Sequence, residues 1–295
     1  MCATVAVVNF RAIPGDCARN LQRIKEYTEA AARRGAQIIL FPELALSGAD
    51  DVAYAAAAAE PVPGPAGQAV ARTAQRLDVY VAFGMAVQRD GKRYNSIVLC
   101  GPEGILGMYD KLHLTARDAT WASPGEALPL IADTRFGRVL VATAYDAIYF
   151  PEVCRYGKAK GVSLMLSAAA LTNEGMAGAW QMILERQVGL NTLHLATANL
   201  AGGGGFGGSQ ILSPGEPIEQ ARIAAGYRLD SYEGRRPGFY CAVIDMMADA
   251  LMPHYPYFEH NYKVGTPDWR PDVYEAAIAE LMEDHFQQKG RACND

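Results

Sequence analysis

Hydrophobic residues along this chain fall into short runs that alternate with amphipathic stretches, the pattern of strands alternating with helices. The run "TVAVVNF" (4–10) predicts a buried strand closed by the turn "IPGD". Asp16 then offers an N-cap, and Leu21, Ile24, Tyr27 and Ala31 recur at helical spacing, which predicts a helix to about Arg34, ended by Gly35. "QIILFPE" (37–43) predicts the next strand, stopped by Pro42. After an alanine-rich patch and a Pro/Gly loop, a helix is expected at 65–77. Strands follow at 79–87, 94–102 and 105–111, joined through Asp90-Gly91 and Glu103-Gly104. Connections of that length form hairpins, so part of the sheet is antiparallel. Strands at 137–144 and 162–169 flank a helix at 151–160, and a longer helix is expected at 176–192. Further strands are read in "LHLATANLAG", "GSQILSPGEPIE" and 239–246. A terminal helix at 272–288 follows an irregular aromatic stretch (254–262) containing Tyr255, Tyr257 and Phe258. The alternation predicts one α/β domain over 1–295, with mixed sheets covered by helices on both sides. Residues 250–295 are expected to be a tail or arm available for contact with a partner subunit.

Composition narrows the class. Of 295 residues, 50% are hydrophobic and 20% charged, enough apolar material for a large core. A net charge of −5 without a Lys/Arg-rich face leaves no electrostatic footprint for nucleic acid. No run of about 18 apolar residues occurs, so no membrane span is expected. The N-terminus lacks a basic segment followed by an apolar one, so no secretory signal is expected. The cysteines (Cys2, Cys17, Cys100, Cys154, Cys241 and Cys293) show neither a C-x-x-C pair nor histidines at metal spacing. That usage predicts reduced thiols, a cytoplasmic location and no metal site.

Three predicted strand ends carry chemistry. Glu43 follows the Pro that stops one strand in "LFPELALSG", and Lys111 ends another in "GMYDKLHLT". The third, "VATAYDAIYFPE" (141–152), runs from a buried strand through a sharp turn, with Asp146 and Glu152 placed to brace it. Strand ends are where ligands gather in α/β folds. Singly, each of these residues reads as a solvated loop or capping residue. Asp110, His113 and His194 read as structural, and the tail aromatics as cover for a core edge, a lid or a subunit contact.

Together, in order and spacing, the segments resemble the nitrilase superfamily of carbon–nitrogen hydrolases. "FPELALSG" is similar to the segment of the family's glutamate base, "YNSIVLCGPEGILGMYDKLHL" to its lysine segment, and "AYDAIYFPEVCR" to its cysteine segment. "WQMILERQVGLNTLHLATANLAG" and "GFGGSQILSPGEPIEQA" extend the match, which spans about 3–246. The resemblance implies a four-layer αββα sandwich associated as a homodimer or higher homo-oligomer. It implies attack of a cysteine thiolate on an amide or nitrile carbon. Glu43 stands at the base, and Lys111 with the Tyr145 backbone N–H at the tetrahedral oxyanion. A water activated by Glu43 then hydrolyses the thioacyl intermediate. No metal or organic cofactor enters, and the partner is a small-molecule amide.

The chain departs from the family at the nucleophile, where the cysteine position is Ala144, whose methyl group cannot attack or ionise. Cys154 lies ten residues further on and is a poor substitute, and Thr143 faces the other way on its strand. Two origins fit: a Cys→Ala substitution made in a working enzyme, or natural loss that leaves a pseudoenzyme binding a ligand or partner. Retention of Glu43, Lys111, Asp146, Pro151 and Glu152 favours the first, because drift after loss of activity erodes base and cation too. A second departure is Asp118, seven residues after Lys111, where many members carry glutamate; it is shorter by one bond, about 1.5 Å. Its expected role is to hold Lys111 charged or to bind the substrate's amide nitrogen. N-carbamoyl amino-acid hydrolases place an arginine pair where this chain has Ala147 and Ile148, which disfavours that substrate. Tyr149 and Phe150 instead predict a less charged, substrate-binding wall. An aliphatic or amino-acid-derived carboxamide is the expected substrate, with nitrile hydrolysis as the lesser alternative.

Overall fold

A computed structural model of the chain describes residues 1–214, 227–231, 236–246, 272 and 275–282. They belong to two units, Met1–Pro253 and His254–Asp295. In the second unit, residues 272 and 275–282 are helical, inside the expected terminal helix. The aromatic stretch 254–262 lies outside the described residues.

The first unit begins with β1 (Cys2–Asn9), α1 (Cys17–Arg33), β2 (Ile38–Leu40), α2 (Val52–Ala57) and α3 (Pro65–Leu77). The hairpin strands β3 (Tyr80–Arg89), β4 (Lys92–Gly101) and β5 (Gly104–Asp110) follow. The second half contains β6 (Leu130–Thr134), β7 (Gly137–Thr143), α4 (Ala144–Tyr149), α5 (Pro151–Ala159), β8 (Val162–Ala168) and α6 (Ala177–Asn191). It continues with β9 (His194–Ala198), β10 (Ala201–Gly202), β11 (Gly205–Phe206), β12 (Gln210–Ser213), β13 (Tyr227–Ser231) and β14 (Gly238–Asp245).

Two six-stranded sheets result, ordered β14-β1-β2-β3-β4-β5 and β13-β12-β9-β8-β7-β6. Each has a parallel centre, β1-β2-β3 in one and β7-β8-β9 in the other. Antiparallel strands flank both centres, including the β3-β4-β5 hairpins that the turn residues predict.

Alternation along β1 explains the layering. Val5 and Val7 join Ile38, Leu40, Val139, Val141 and Leu164 in a core between the sheets. Ala6 and Val8 point the other way, joining Ile39 and Phe41 against Ile24 and Ala31 of α1 and Val70 and Ala74 of α3. On the far side Val153 of α5 and Trp180, Leu184 and Val188 of α6 close over the second sheet. Strands buried on both faces read as continuous apolar runs, which is how they appear in the sequence. Each fully buried Val, Leu or Ile contributes roughly 1.5–3 kcal/mol, so the αββα stack has ample drive to form.

Local signals place most ends. Asp16 caps α1 by accepting from the Arg19 N–H at 3.0 Å, and Pro65 starts α3 after Gly64. Some elements depart from the sequence reading, among them β11 and β13, which it did not contain. The strand expected to reach residue 144 ends at Thr143, whose side chain caps a short helix, α4, that the pattern did not announce. Strand β6 was likewise unread, hidden in a segment of mixed polarity. His194 is structural as expected: it is buried, with Nε2 against the Asp245 carbonyl at 2.8 Å and Nδ1 against Ser213 Oγ at 2.9 Å. Among the described residues no helix is long and apolar enough to cross a membrane.

Candidate functional site

Glu43 is held by an unusual loop. Pro42 ends β2, Leu44 takes a positive φ of 52°, and the Glu43 N–H donates to the Ala169 carbonyl across the sheets at 3.2 Å. Gly84 of β3 passes so close that its N–H donates to the Pro42 carbonyl at 3.0 Å. A Cβ there would sit 2.4 Å from Leu44 N, 2.5 Å from the Pro42 oxygen and 2.6 Å from Glu43 Cα, all backbone atoms that cannot step aside cheaply. Gly84→Ala is therefore expected to cost about 1–3 kcal/mol through forced backbone movement. Urea denaturation reads that loss, and an unchanged midpoint would refute the close approach.

Lys111 follows β5 directly, its N–H donating to the Asn95 carbonyl at 2.8 Å. Its Nζ lies 2.8 Å from Glu43 Oε1 and 2.7 Å from Asp118 Oδ2. Asn95 Nδ2 donates to the same two carboxylates, at 2.6 Å to Glu43 Oε1 and 3.3 Å to Asp118 Oδ1. All four residues are buried. The shorter side chain of Asp118 still reaches Lys111, because a single turn of 3₁₀ helix (Asp118–Thr120) carries it inward. Thr115 secures that turn, donating to Asp118 Oδ2 from both Oγ1 at 2.7 Å and its N–H at 3.2 Å.

Burial sets the electrostatics. Desolvation raises the pKa of Glu43, Asp118 raises it further, and the attraction of Lys111 offsets only part of this. Desolvation pushes Lys111 down, but Glu43 and Asp118 outweigh it and the net shift is upward. For Asp118 desolvation acts upward and is overcome by Lys111 and the Thr115 bonds, so its pKa falls. The cluster thus keeps Lys111 charged, Asp118 ionised and Glu43 poised to take a proton, the setting of a general base. The linkage follows from the signs. A raised Glu43 binds its proton more tightly in the folded state, so its contribution is present below its ordinary value of 4.5 and is lost as pH rises through its folded pKa. Asp118 has the opposite sign, stabilising above its ordinary value of 3.8 and losing that contribution as pH falls. Glu43→Gln is expected to flatten the decline of the melting temperature above pH 4.5, and an unaltered slope would count against the raised pKa.

The third component is the turn from β7 into α4. Asp146, fully buried, gathers donors from two segments: Tyr109 Oη, the Leu112 N–H at 3.3 Å, the His113 N–H at 3.1 Å and Thr143 Oγ1 at 2.7 Å. His113 Nδ1 also lies 2.6 Å from it. This carboxylate ties the chain just after Lys111 to the turn bearing Ala144. Thr143 points at Asp146 because it caps α4, not because of strand alternation, which ends at this residue. Tyr145 places its ring 5.3 Å from Lys111 Nζ. Glu152 is exposed in the first turn of α5.

Glu43, Lys111, Asp118, Ala144 and Tyr145 all line one cavity of about 100 Å³, together with Thr115, Arg117, Trp121 and Leu171. The structure does not bring Tyr149 or Phe150 to it. Tyr149 is exposed, and Phe150 stacks on His113 with ring centroids 3.3 Å apart. Cys154 is buried against Met165 with its pKa pushed up to about 12 by desolvation, away from the cavity. Sequence reasoning missed Asn95, Thr115 and Arg117. Asn95 carried a signal, a polar side chain inside the apolar strand "YNSIVLC", because a buried amide needs partners. Among the described residues no group of His, Cys, Asp and Glu is arranged to hold a metal ion.

A family model described as carbon-nitrogen hydrolase matches residues 4–250. The chain belongs to the carbon–nitrogen hydrolase family. This carbon–nitrogen hydrolase is 27% identical over 221 residues to omega-amidase NIT2 of Danio rerio, covering 69% of this chain and 79% of that protein. It is 34% identical over 151 residues to an (R)-stereoselective amidase of Pseudomonas sp., covering 51% and 54%. Its fold is that of the amidase from Nesterenkonia sp. AN1, a member of the nitrilase superfamily. A cysteine-to-alanine mutant of that enzyme superposes with a TM-score of 0.68 at 23% identity, over 88% of this chain and 97% of the other.

Proposed function

We propose that the cavity binds a short carboxamide, and that with a cysteine at position 144 the protein hydrolyses it to the acid and ammonia. The observation that carries this reading is the place of Ala144: its methyl group shares one cavity with Glu43, Lys111 and Asp118. In the proposed reaction Glu43 takes the proton of a thiol at position 144, and the sulfur adds to the amide carbon. Lys111 and the Tyr145 N–H, in the first turn of α4 where amides lack intrahelical acceptors, receive the negative oxygen. The C–N bond breaks as Glu43 returns the proton to the departing ammonia. Water, deprotonated by Glu43, then attacks the thioester and releases acid and thiol. Asp118 and Asn95 hold Lys111 and Glu43 in register and do not touch the thiol.

The cavity's size supports a small substrate. It is about two thirds of the ~150 Å³ that holds a benzene ring, room for the amide group and one or two carbons. The names of two relatives, an omega-amidase and a stereoselective amidase, support an amide substrate. Intact base and cation support reading Ala144 as a substituted cysteine.

A second reading, ligand binding without turnover, is favoured by the absence of a replacement nucleophile among the cavity-lining residues. Thr115 Oγ1 is committed to Asp118 at 2.7 Å. The deciding experiment compares ammonia release by the protein and by Ala144→Cys on a panel of carboxamides, ureido acids and nitriles. A folded Ala144→Cys variant that releases no ammonia from any of them would leave the binding reading standing and sink the hydrolase reading.

A further inference from the structure

Resting on the amide reading above, we propose that the protein as it stands, with a methyl group at position 144, hydrolyses short acyl thioesters by direct addition of water. Glu43, Lys111 and Tyr145 line the same cavity as the Ala144 methyl group. Glu43 accepts its two side-chain hydrogen bonds on one oxygen: Lys111 Nζ at 2.8 Å and Asn95 Nδ2 at 2.6 Å both reach Oε1. Oε2 is the oxygen left to face a water in the cavity. Burial raises the pKa of Glu43, so this carboxylate takes a proton more readily than an exposed one at the same pH. Lys111, paired with Glu43 and Asp118, presents a fixed positive charge to a carbonyl oxygen, and the first-turn N–H of Tyr145 adds a second donor. A base and an oxyanion site thus surround a place that needs no nucleophile of its own if water can attack.

The leaving group decides which acyl compound such a site can cleave. Water added to an amide gives an adduct from which nitrogen departs only after it is protonated. A thiol has a pKa near 8.5, so a thiolate departs near neutral pH without that help. In the proposed step Glu43 Oε2 takes a proton from water as the water oxygen bonds to the thioester carbon. The carbonyl electron pair moves onto the oxygen received by Lys111 and the Tyr145 N–H. That oxyanion then collapses, the C–S bond breaks with its electron pair on sulfur, and Glu43 passes its proton to the thiolate. Acid and thiol leave, and the carboxylate is restored. The wall around position 144 suits sulfur, because Leu44, Ala170 and Leu171 join the Ala144 methyl group in the lining. Divalent sulfur is a weak acceptor and gives up little hydrogen bonding against apolar groups. A cavity of about 100 Å³ has room for an acetyl group and the sulfur.

S-methyl thioacetate at about pH 7.5, followed by the loss of its ultraviolet absorbance, tests this on the protein as it stands. Hydrolysis is expected to run for many turnovers at about 10³-fold the buffer rate, the scale of catalysis that a site retains once its nucleophile is gone. Glu43→Gln is expected to lower that rate about a hundredfold, the share of a general base. Ala144→Val, which fills the place of the sulfur, is expected to remove it. Cys2 is exposed and can exchange with a thioester, but both variants keep it, so its share appears as one turnover common to all three proteins. A rate no faster than buffer, or one undiminished in Glu43→Gln or Ala144→Val, overturns the proposal. If Ala144→Cys releases ammonia from a carboxamide while the protein as it stands leaves the thioester intact, this inference alone fails. If Ala144→Cys releases no ammonia and the thioester is also left intact, the amide reading fails with it.

Discussion

Replacing Ala144 by cysteine is expected to raise ammonia release from a short carboxamide by about 10⁴- to 10⁶-fold, the span seen when a catalytic nucleophile is removed or restored. The sulfur enters at a position that lines the cavity beside Glu43 and Lys111. A thiol with its ordinary pKa near 8.5 is weakly ionised at neutral pH and needs a base beside it. Glu43 has the property that role needs, because burial raises its pKa above the ordinary carboxylate value while the attraction of Lys111 offsets part of that rise. Adding Glu43→Gln to the cysteine variant is expected to return ammonia release to background. Near-normal rates in that double variant would mean the base has been misassigned.

Lys111→Ala is expected to be the most destabilising single change in the site, by about 3–5 kcal/mol near pH 8, because it strands two buried carboxylates without their cation. Asn95 still donates to both, but a neutral amide cannot offset like charges brought together. The penalty has a pH signature. Without Lys111 both carboxylate pKa values rise, so protonation removes the cost as pH falls and the variant approaches the parent in acid. Urea midpoints at pH 8 and pH 4 read this directly, and a loss equal at both would point to packing around the lysine stem instead. In the Ala144→Cys background the same change removes the cation proposed for the oxyanion, so turnover is expected to vanish even where the protein remains folded.

Much of the architecture was legible beforehand. The hairpins through Asp90-Gly91 and Glu103-Gly104, the cap at Asp16 and the Pro65 helix start appear as local chemistry predicts, because each depends on a few adjacent residues. The short α4 did not, since its start depends on the Thr143 side chain turning to cap Asp146, which a strand-like run conceals. Glu43, Lys111, Asp118 and Tyr145 were named from sequence and share one cavity; Tyr149 and Phe150 were named on the same turn and lie outside it. Their aromatic character was visible, but the direction each ring takes at the end of α4 was not.

By itself the sequence determined which side chains this protein has near its strand ends: a carboxylate, an amine, a second, shorter carboxylate, and the methyl group of Ala144. Only the tertiary structure decided what those groups are to one another. Residues 43, 95, 111, 118 and 146 lie on separate elements, Asn95 in β4, Asp146 in α4 and the others in the segments after β2 and β5, and local pattern carries no information about contacts between them. Packing the sheets face to face buries Glu43 and Lys111 together, and that burial raises the pKa of one and commits the charge of the other. Asp146, read in sequence as a brace, turns out to grip the lysine segment because the fold brings β5 and α4 side by side.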